Sequence, residues 1–165
     1  MRKRVFIWNA KLREFENILN TVISVKVAEI EKILSAFSVK YDEFFDMPTA
    51  EDWQNLSDVF NAEFDIDFVT FINLMSIWNF PGEIYNITEN NNNGNDTIKD
   101  VYDFEMNYSD WDKNMIPFYG IGNGDYFCIN SNSKNVWYFY HDTQAFELYC
   151  DNFEEWIKEL PEFVG

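Results

Sequence analysis

Along residues 11–38 the hydrophobic positions recur at three- and four-residue steps: Leu12, Phe15, Leu19, Val22 and Ile23, then Val27, Ile30, Leu34 and Phe37. That is the stripe of an amphipathic helix. Asn20-Thr21 and the β-branched run Val22-Ile23-Ser24-Val25 weaken its middle, so one kinked helix and two shorter helices both fit. Pro48-Thr49-Ala50-Glu51-Asp52 opens a second helix: Thr49 caps it, Asp52 closes a capping box, and the helix runs to about Ala62, burying Trp53, Leu56 and Phe60. A third helix starts at Asp65 or Asp67 and is apolar around most of its circumference through Trp78, which marks it as central to the core; Phe80-Pro81-Gly82 ends it. Residues 83–88 predict a short strand, and residues 97–108 a helix with Ile98, Val101, Tyr102 and Met106 on one side.

The pattern then changes period. Residues 116–121, 126–130, 136–140 and 146–150 are aromatic and β-branched runs separated by Gly122-Asn123-Gly124-Asp125, Ser131-Asn132-Ser133-Lys134-Asn135 and Asp142-Thr143-Gln144, which are turn compositions. They predict an antiparallel meander. Residues 151–160 form a capped amphipathic helix that Pro161 ends. Helices first, successive strands next and a helix last is an α+β order.

Length and composition narrow the class. A chain of 165 residues, 47% hydrophobic with only 6 Gly and 4 Pro, is a single globular domain with a sizeable core, not a disordered or fibrous one. No apolar run approaches the roughly 20 residues needed to cross a bilayer. After Arg2-Lys3-Arg4 only Val5-Phe6-Ile7-Trp8 precede Asn9, too short for a signal peptide, so the expected location is the cytoplasm. Cys128 and Cys150 suit that compartment as buried thiols; a disulfide between them is the alternative that a reducing cytosol disfavours.

Charge says more. The chain carries a formal net charge of −17, divided as +4 over residues 1–40 and −21 over residues 41–165. Small domains usually manage with a net charge of roughly 2 to 8. An acidic field of this size repels nucleic acid and anionic membrane, excluding both as partners, and draws in a basic partner.

Candidate catalytic groups are sparse. His141 beside Asp142 has no serine-bearing elbow and no second ligand residue. Gly120-Ile121-Gly122-Asn123-Gly124 precedes an aromatic strand and not a helix, so it is a hairpin and not a phosphate cradle. The oxygen-rich stretch from Asn90 to Asp96 lacks the spacing of a calcium loop. No enzyme activity, cofactor or metal is expected. For Trp137, Phe139, Phe127 and Trp156 a core position is expected, while Trp111 fits core and surface equally.

Four pieces of the C-terminal half occur in order: Ile116-Pro117-Phe118, Gly124-Asp125-Tyr126-Phe127-Cys128-Ile129-Asn130, Val136-Trp137-Tyr138-Phe139-Tyr140-His141-Asp142, and Phe153-Glu154-Glu155-Trp156-Ile157. Together they resemble the hallmark pattern of the SUKH superfamily, the bacterial immunity proteins related to the yeast cell-wall synthesis regulator. Upstream, the residues from Phe64 to Ile72 look like the family's helix opening, with Asp65 where the family has proline. The resemblance covers residues 48–160 and implies a mixed, mainly antiparallel sheet packed against helices. It leaves residues 1–47 as an N-terminal helical arm and 48–165 as the SUKH-like domain, so that deleting residues 1–40 is expected to leave the body folded. It further implies an immunity protein that binds and neutralises a cognate polymorphic toxin, with a basic nuclease as the matching class; the alternative is a non-enzymatic regulatory scaffold, the role of the yeast relative. Monomer and homodimer are both open.

For the partner surface the choice falls on Asp100, Asp103 and Glu105 of the 97–108 helix and on Asp110, Trp111 and Asp112 after it: five acids around an indole, an aromatic anchor ringed by charge.

Overall fold

The computed structural model describes residues 2–89 and 94–164. The elements are α1 (Arg2–Leu34), β1 (Val39–Lys40), α2 (Ala50–Phe60), α3 (Ile66–Leu74), β2 (Trp78–Asn79), β3 (Glu83–Ile84), α4 (Ile98–Tyr108), β4 (Met115–Gly120), β5 (Tyr126–Asn130), β6 (Val136–Tyr140), β7 (Ala145–Cys150) and α5 (Phe153–Val164). β3 to β7 form one antiparallel sheet in sequence order, and β1 pairs with β2 in a separate two-stranded ladder. The α+β class and the predicted meander are both present.

Alternation along the strands divides the interior in two. Phe127 and Ile129 of β5 and Val136 of β6 face the main cluster with Phe68, Phe71, Phe118, Phe153 and Trp156, while Cys128 and Phe139 face a smaller cluster with Trp111 and Met115. On β4 a register shift between Pro117 and Tyr119 breaks the alternation, so the consecutive Phe118 and Tyr119 both join the main cluster. Phe71, Phe118 and Phe153 all meet the fully buried Trp156 ring, at centroid distances of 5.4, 4.8 and 5.1 Å. Such aromatic pairs contribute about 0.5–1.5 kcal/mol each beyond their buried area.

Several local expectations hold. Thr49 accepts from the Asp52 backbone N–H at 3.2 Å, and Asp52 accepts from the Thr49 N–H at 2.7 Å, completing the capping box of α2. Asn152 Oδ1 accepts from the Glu155 N–H at 3.0 Å and caps α5. Phe127, Phe139 and Trp156 are buried and Trp137 is half-buried. Cys128 and Cys150 are free and buried. Burial drives the Cys128 thiol well up and the Cys150 thiol up to about 12, so both stay protonated and unreactive.

Of the alternatives for the first stripe, the single helix is present: α1 is continuous, and the Thr21 hydroxyl donates to the Asn17 carbonyl at 2.8 Å within it. Asp65 is the N-cap residue of α3, one of its two expected starts, but its side chain makes no capping hydrogen bond; its carboxylate pairs with Lys134 at 2.9 Å, tying the start of α3 to the β5–β6 hairpin. Other expectations are corrected. α3 stops at Leu74, because Trp78 and Asn79 turn out to pair with Lys40 and Val39. α5 continues past Pro161 to Val164, whose side chain packs on the main cluster.

Within residues 1–47, the second half of α1 packs on the main cluster. Ile30 and Leu34 are 3% and 0% exposed and belong to the main cluster, with Val27, Ile33 and Phe37 against it. Lys26 adds ion pairs to Asp67 at 3.0 Å and Glu154 at 3.4 Å. One turn earlier the helix is uncovered: Ile18, Leu19, Val22 and Val25 are all exposed. The basic Arg2-Lys3-Arg4 start lies outside the residues whose side chains are described. Among the described residues no helix is long and apolar enough to cross a membrane.

Candidate functional site

α4 starts at Thr97, whose hydroxyl accepts from the Asp100 N–H at 3.1 Å and donates to the Asp100 carboxylate at 2.6 Å. Asp100 therefore stands exposed on the first turn, held by its cap. Asp103 is exposed and pairs with Lys99 one turn back. Asp110 and Asp112 lie exposed in the following loop, and Asp112 accepts from the Asn114 backbone N–H at 2.9 Å in an Asx turn.

Glu105 and Trp111 are not on the surface. Glu105 is 7% exposed and accepts the Tyr126 hydroxyl at 2.8 Å; Trp111 is 8% exposed and donates its indole N–H to the Met115 carbonyl at 2.8 Å. The aromatic anchor ringed by charge does not exist in that form. The same helix presents other aromatics instead: Phe104 and Tyr108, one turn apart with ring centroids at 4.8 Å, are 57% and 77% exposed. Met106, expected on the inner side, is also exposed. The i, i+4 spacing of Phe104 and Tyr108 is the signal that could have found this pair.

Beside the first turns of α4 lies a groove of about 380 Å³ lined by Glu83, Tyr85, Asp96, Asp100, Val101, Phe104 and Tyr126. Chain segments far apart in sequence meet here. β3 pairs with the end of β4, and Asn86 bridges to Thr97, which brings Glu83 of β3 and the acids at the start of α4 to the same groove. Gly120 permits the close approach: a Cβ there would fall 2.1 Å from the Tyr85 hydroxyl and 3.1 Å from Glu83 Oε2. Burial first, then Tyr126 and the carboxylates of Glu83 and Asp96, push the Tyr85 phenol far up, so it remains a neutral hydroxyl. None of the lining carboxylates forms an ion pair among the described residues.

His141 and Asp142 sit in the turn between β6 and β7. Asp125, mostly buried in the β4–β5 hairpin, accepts from the His141 backbone N–H at 2.9 Å, from Tyr138 Oη at 2.9 Å and from Asn123 Nδ2 at 3.0 Å, and its Oδ1 lies 2.8 Å from His141 Nδ1. Burial would raise its pKa, but the donors from His141, Asn123 and Tyr138 outweigh burial and hold it at about 2. This network staples two turns and offers no nucleophile. A folded-state pKa below the unfolded value stabilises the fold above pH 4, and that contribution is lost as pH falls towards 2. Asp125→Asn should therefore reduce stability at pH 6 by on the order of 2 kcal/mol and flatten the acid limb of the urea midpoint between pH 5 and 2. His141 is shifted upward, chiefly by its bond to Asp125, so its contribution is present below pH 6.5 and fades as pH rises through the raised value. An acid limb unchanged in the Asn variant would refute the assignment.

Among the described residues no three His, Cys, Asp or Glu side chains converge as metal ligands. Helices packed against an antiparallel meander, with a Gly-Asp hairpin braced by the His-bearing turn, define a SUKH-type α+β domain. Residues 27–163 match the SUKH_5 family, described as SMI1-KNR4 cell-wall, and the chain belongs to that family. No curated protein matches the chain. Among solved structures, the crystal structure of a protein from Pseudomonas syringae pv. tomato shares the fold, with a TM-score of 0.58 over 81% of this chain and 96% of that one at 12% identity.

Proposed function

We propose that the protein is an immunity protein: it binds a basic toxin and covers the toxin's active surface, with no catalysis of its own. The observation that carries this reading is the α4 face, where exposed aromatics stand among carboxylates on a chain of net charge −17. Family membership supports it. A cationic groove that binds nucleic acid is the natural complement of such a face, and occupying it gives both steering and exclusion. The family's cell-wall description favours a second reading, a regulatory scaffold acting through the same kind of surface.

The test is protection. Expression of this chain should restore growth to cells producing the toxin-like product of an adjacent reading frame, and the two proteins should co-purify as one complex. Raising ionic strength from about 0.05 to 0.5 M shortens the Debye length from about 14 to 4 Å, so association should slow about tenfold or more while dissociation changes less. Asp103→Lys with Asp110→Lys should slow it further. Growth left unrescued, with several unrelated partners recovered instead, favours the scaffold. An association rate indifferent to salt and to both reversals sinks the electrostatic antidote.

A further inference from the structure

We infer that the groove between β3 and the start of α4 receives an arginine side chain of the protein partner. The inference rests on the protein-binding reading above and names what its surface recognises.

Two independent observations meet in the groove. The first is charge: Glu83, Asp96 and Asp100 line it, the described residues supply no cation to it, and Glu105 lies buried behind Tyr126. The second is an unused donor and acceptor. Tyr85 is 5% exposed, yet its hydroxyl makes no hydrogen bond among the described residues and lies over Gly120 beside the Glu83 carboxylate. The ring is held in the fold while its oxygen stays open to the groove, so a ligand N–H can donate to it at no cost in protein hydrogen bonds.

The walls select among cations. Phe104 is more than half exposed, and Tyr85 and Tyr126 stand with ring centroids 6.2 Å apart, so the groove has aromatic surface as well as carboxylates. A guanidinium is planar, stacks on aromatic rings, donates five N–H groups in a fixed fork and sheds water more readily than an ammonium. Lysine satisfies the charge but not the stacking. At about 380 Å³ the groove lies at the low end of ligand-site volumes, a size that suits one long side chain.

N-acetyl-arginine methylamide is the probe, followed by amide NMR shifts of the full chain at constant ionic strength. Arginine should give saturable shifts centred on Glu83, Tyr85, Asp96 and Phe104. The lysine analogue should bind about threefold or more weakly, and the citrulline analogue, its neutral isostere, should leave those resonances unmoved. Glu83→Gln with Asp96→Asn should weaken arginine binding about fivefold, and Phe104→Ala about threefold; all three side chains are exposed, so the fold is retained. Shifts spread evenly over the acidic surface, equal for arginine and lysine, or unaltered in these variants, overturn the inference. The two proposals fail separately. Arginine bound here without protection from any toxin removes the immunity reading alone. A toxin bound with unchanged affinity by the groove variants removes the groove.

Discussion

Deleting residues 1–40 should abolish the cooperative fold, while deleting residues 1–24 should leave it intact. The longer cut removes Ile30 and Leu34 from the main cluster, together with the partly buried Val27, Ile33 and Phe37, and it removes β1 from its partner β2. Each fully buried aliphatic side chain contributes about 1.5–3 kcal/mol, so the two core residues alone approach the roughly 5–15 kcal/mol that separates folded from unfolded domains. Phe80, whose ring meets Phe37 at 5.9 Å, would also be uncovered. The shorter cut removes Ile18, Leu19 and Val22, which are exposed already, and spares Lys26 with its ion pairs to α3 and α5. Near-UV circular dichroism and thermal melts separate the outcomes. A body lacking residues 1–40 that keeps its near-UV spectrum and a sharp melt would instead support a boundary near residue 47.

The contrast along α1 shows what a periodic stripe conveys. Leu19 and Val22 belong to the same three- and four-residue stripe as Ile30 and Leu34, but only the latter pair joins the main cluster, and which half is covered depends on α3 and α5 more than 30 residues away. The meander was legible because strand alternation and turn residues are local properties, and β5 to β7 each lie within a few residues of a recognisable turn. β1 and β2, at two residues each, carry no period at all. Asp65 has the composition of a cap, yet Lys134, far along the chain, captures its carboxylate. Glu105 looks like a surface acid for the same reason: its burial is decided by a Tyr126 hydroxyl on another element. The groove depends on such pairing throughout, since the β3–β4 ladder, the Asn86–Thr97 bridge and the Asn95 side chain bonded to the Ile84 carbonyl bring Glu83 and Tyr85 to Asp96 and Asp100. Acidity and aromatic content were readable in advance; their placement around a hydroxyl resting on Gly120 was not.

Trp111→Ala should destabilise the fold by about 3–5 kcal/mol, and its effect on partner binding should follow from lost folding and not from a lost contact. The indole fills the smaller cluster, with ring centroids 4.8 Å from Phe139, 5.0 Å from Phe146 and 5.8 Å from Tyr126. Truncation leaves a cavity between α4 and the sheet and strands the Met115 carbonyl that accepts the indole N–H. Trp111→Phe keeps most of the aromatic packing and loses that bond, so it should cost only about 1–2 kcal/mol. The loss also reaches the groove, because Tyr126 packs on Trp111 and lines the groove wall. Asp110→Lys, one residue earlier and exposed, should do the reverse: stability within about 0.5 kcal/mol of the parent, with a slower association rate. Urea midpoints for the three variants, measured beside association and dissociation rates, separate the two roles. If Trp111→Ala kept full stability and only accelerated dissociation, the indole would belong to the interface and not to the core.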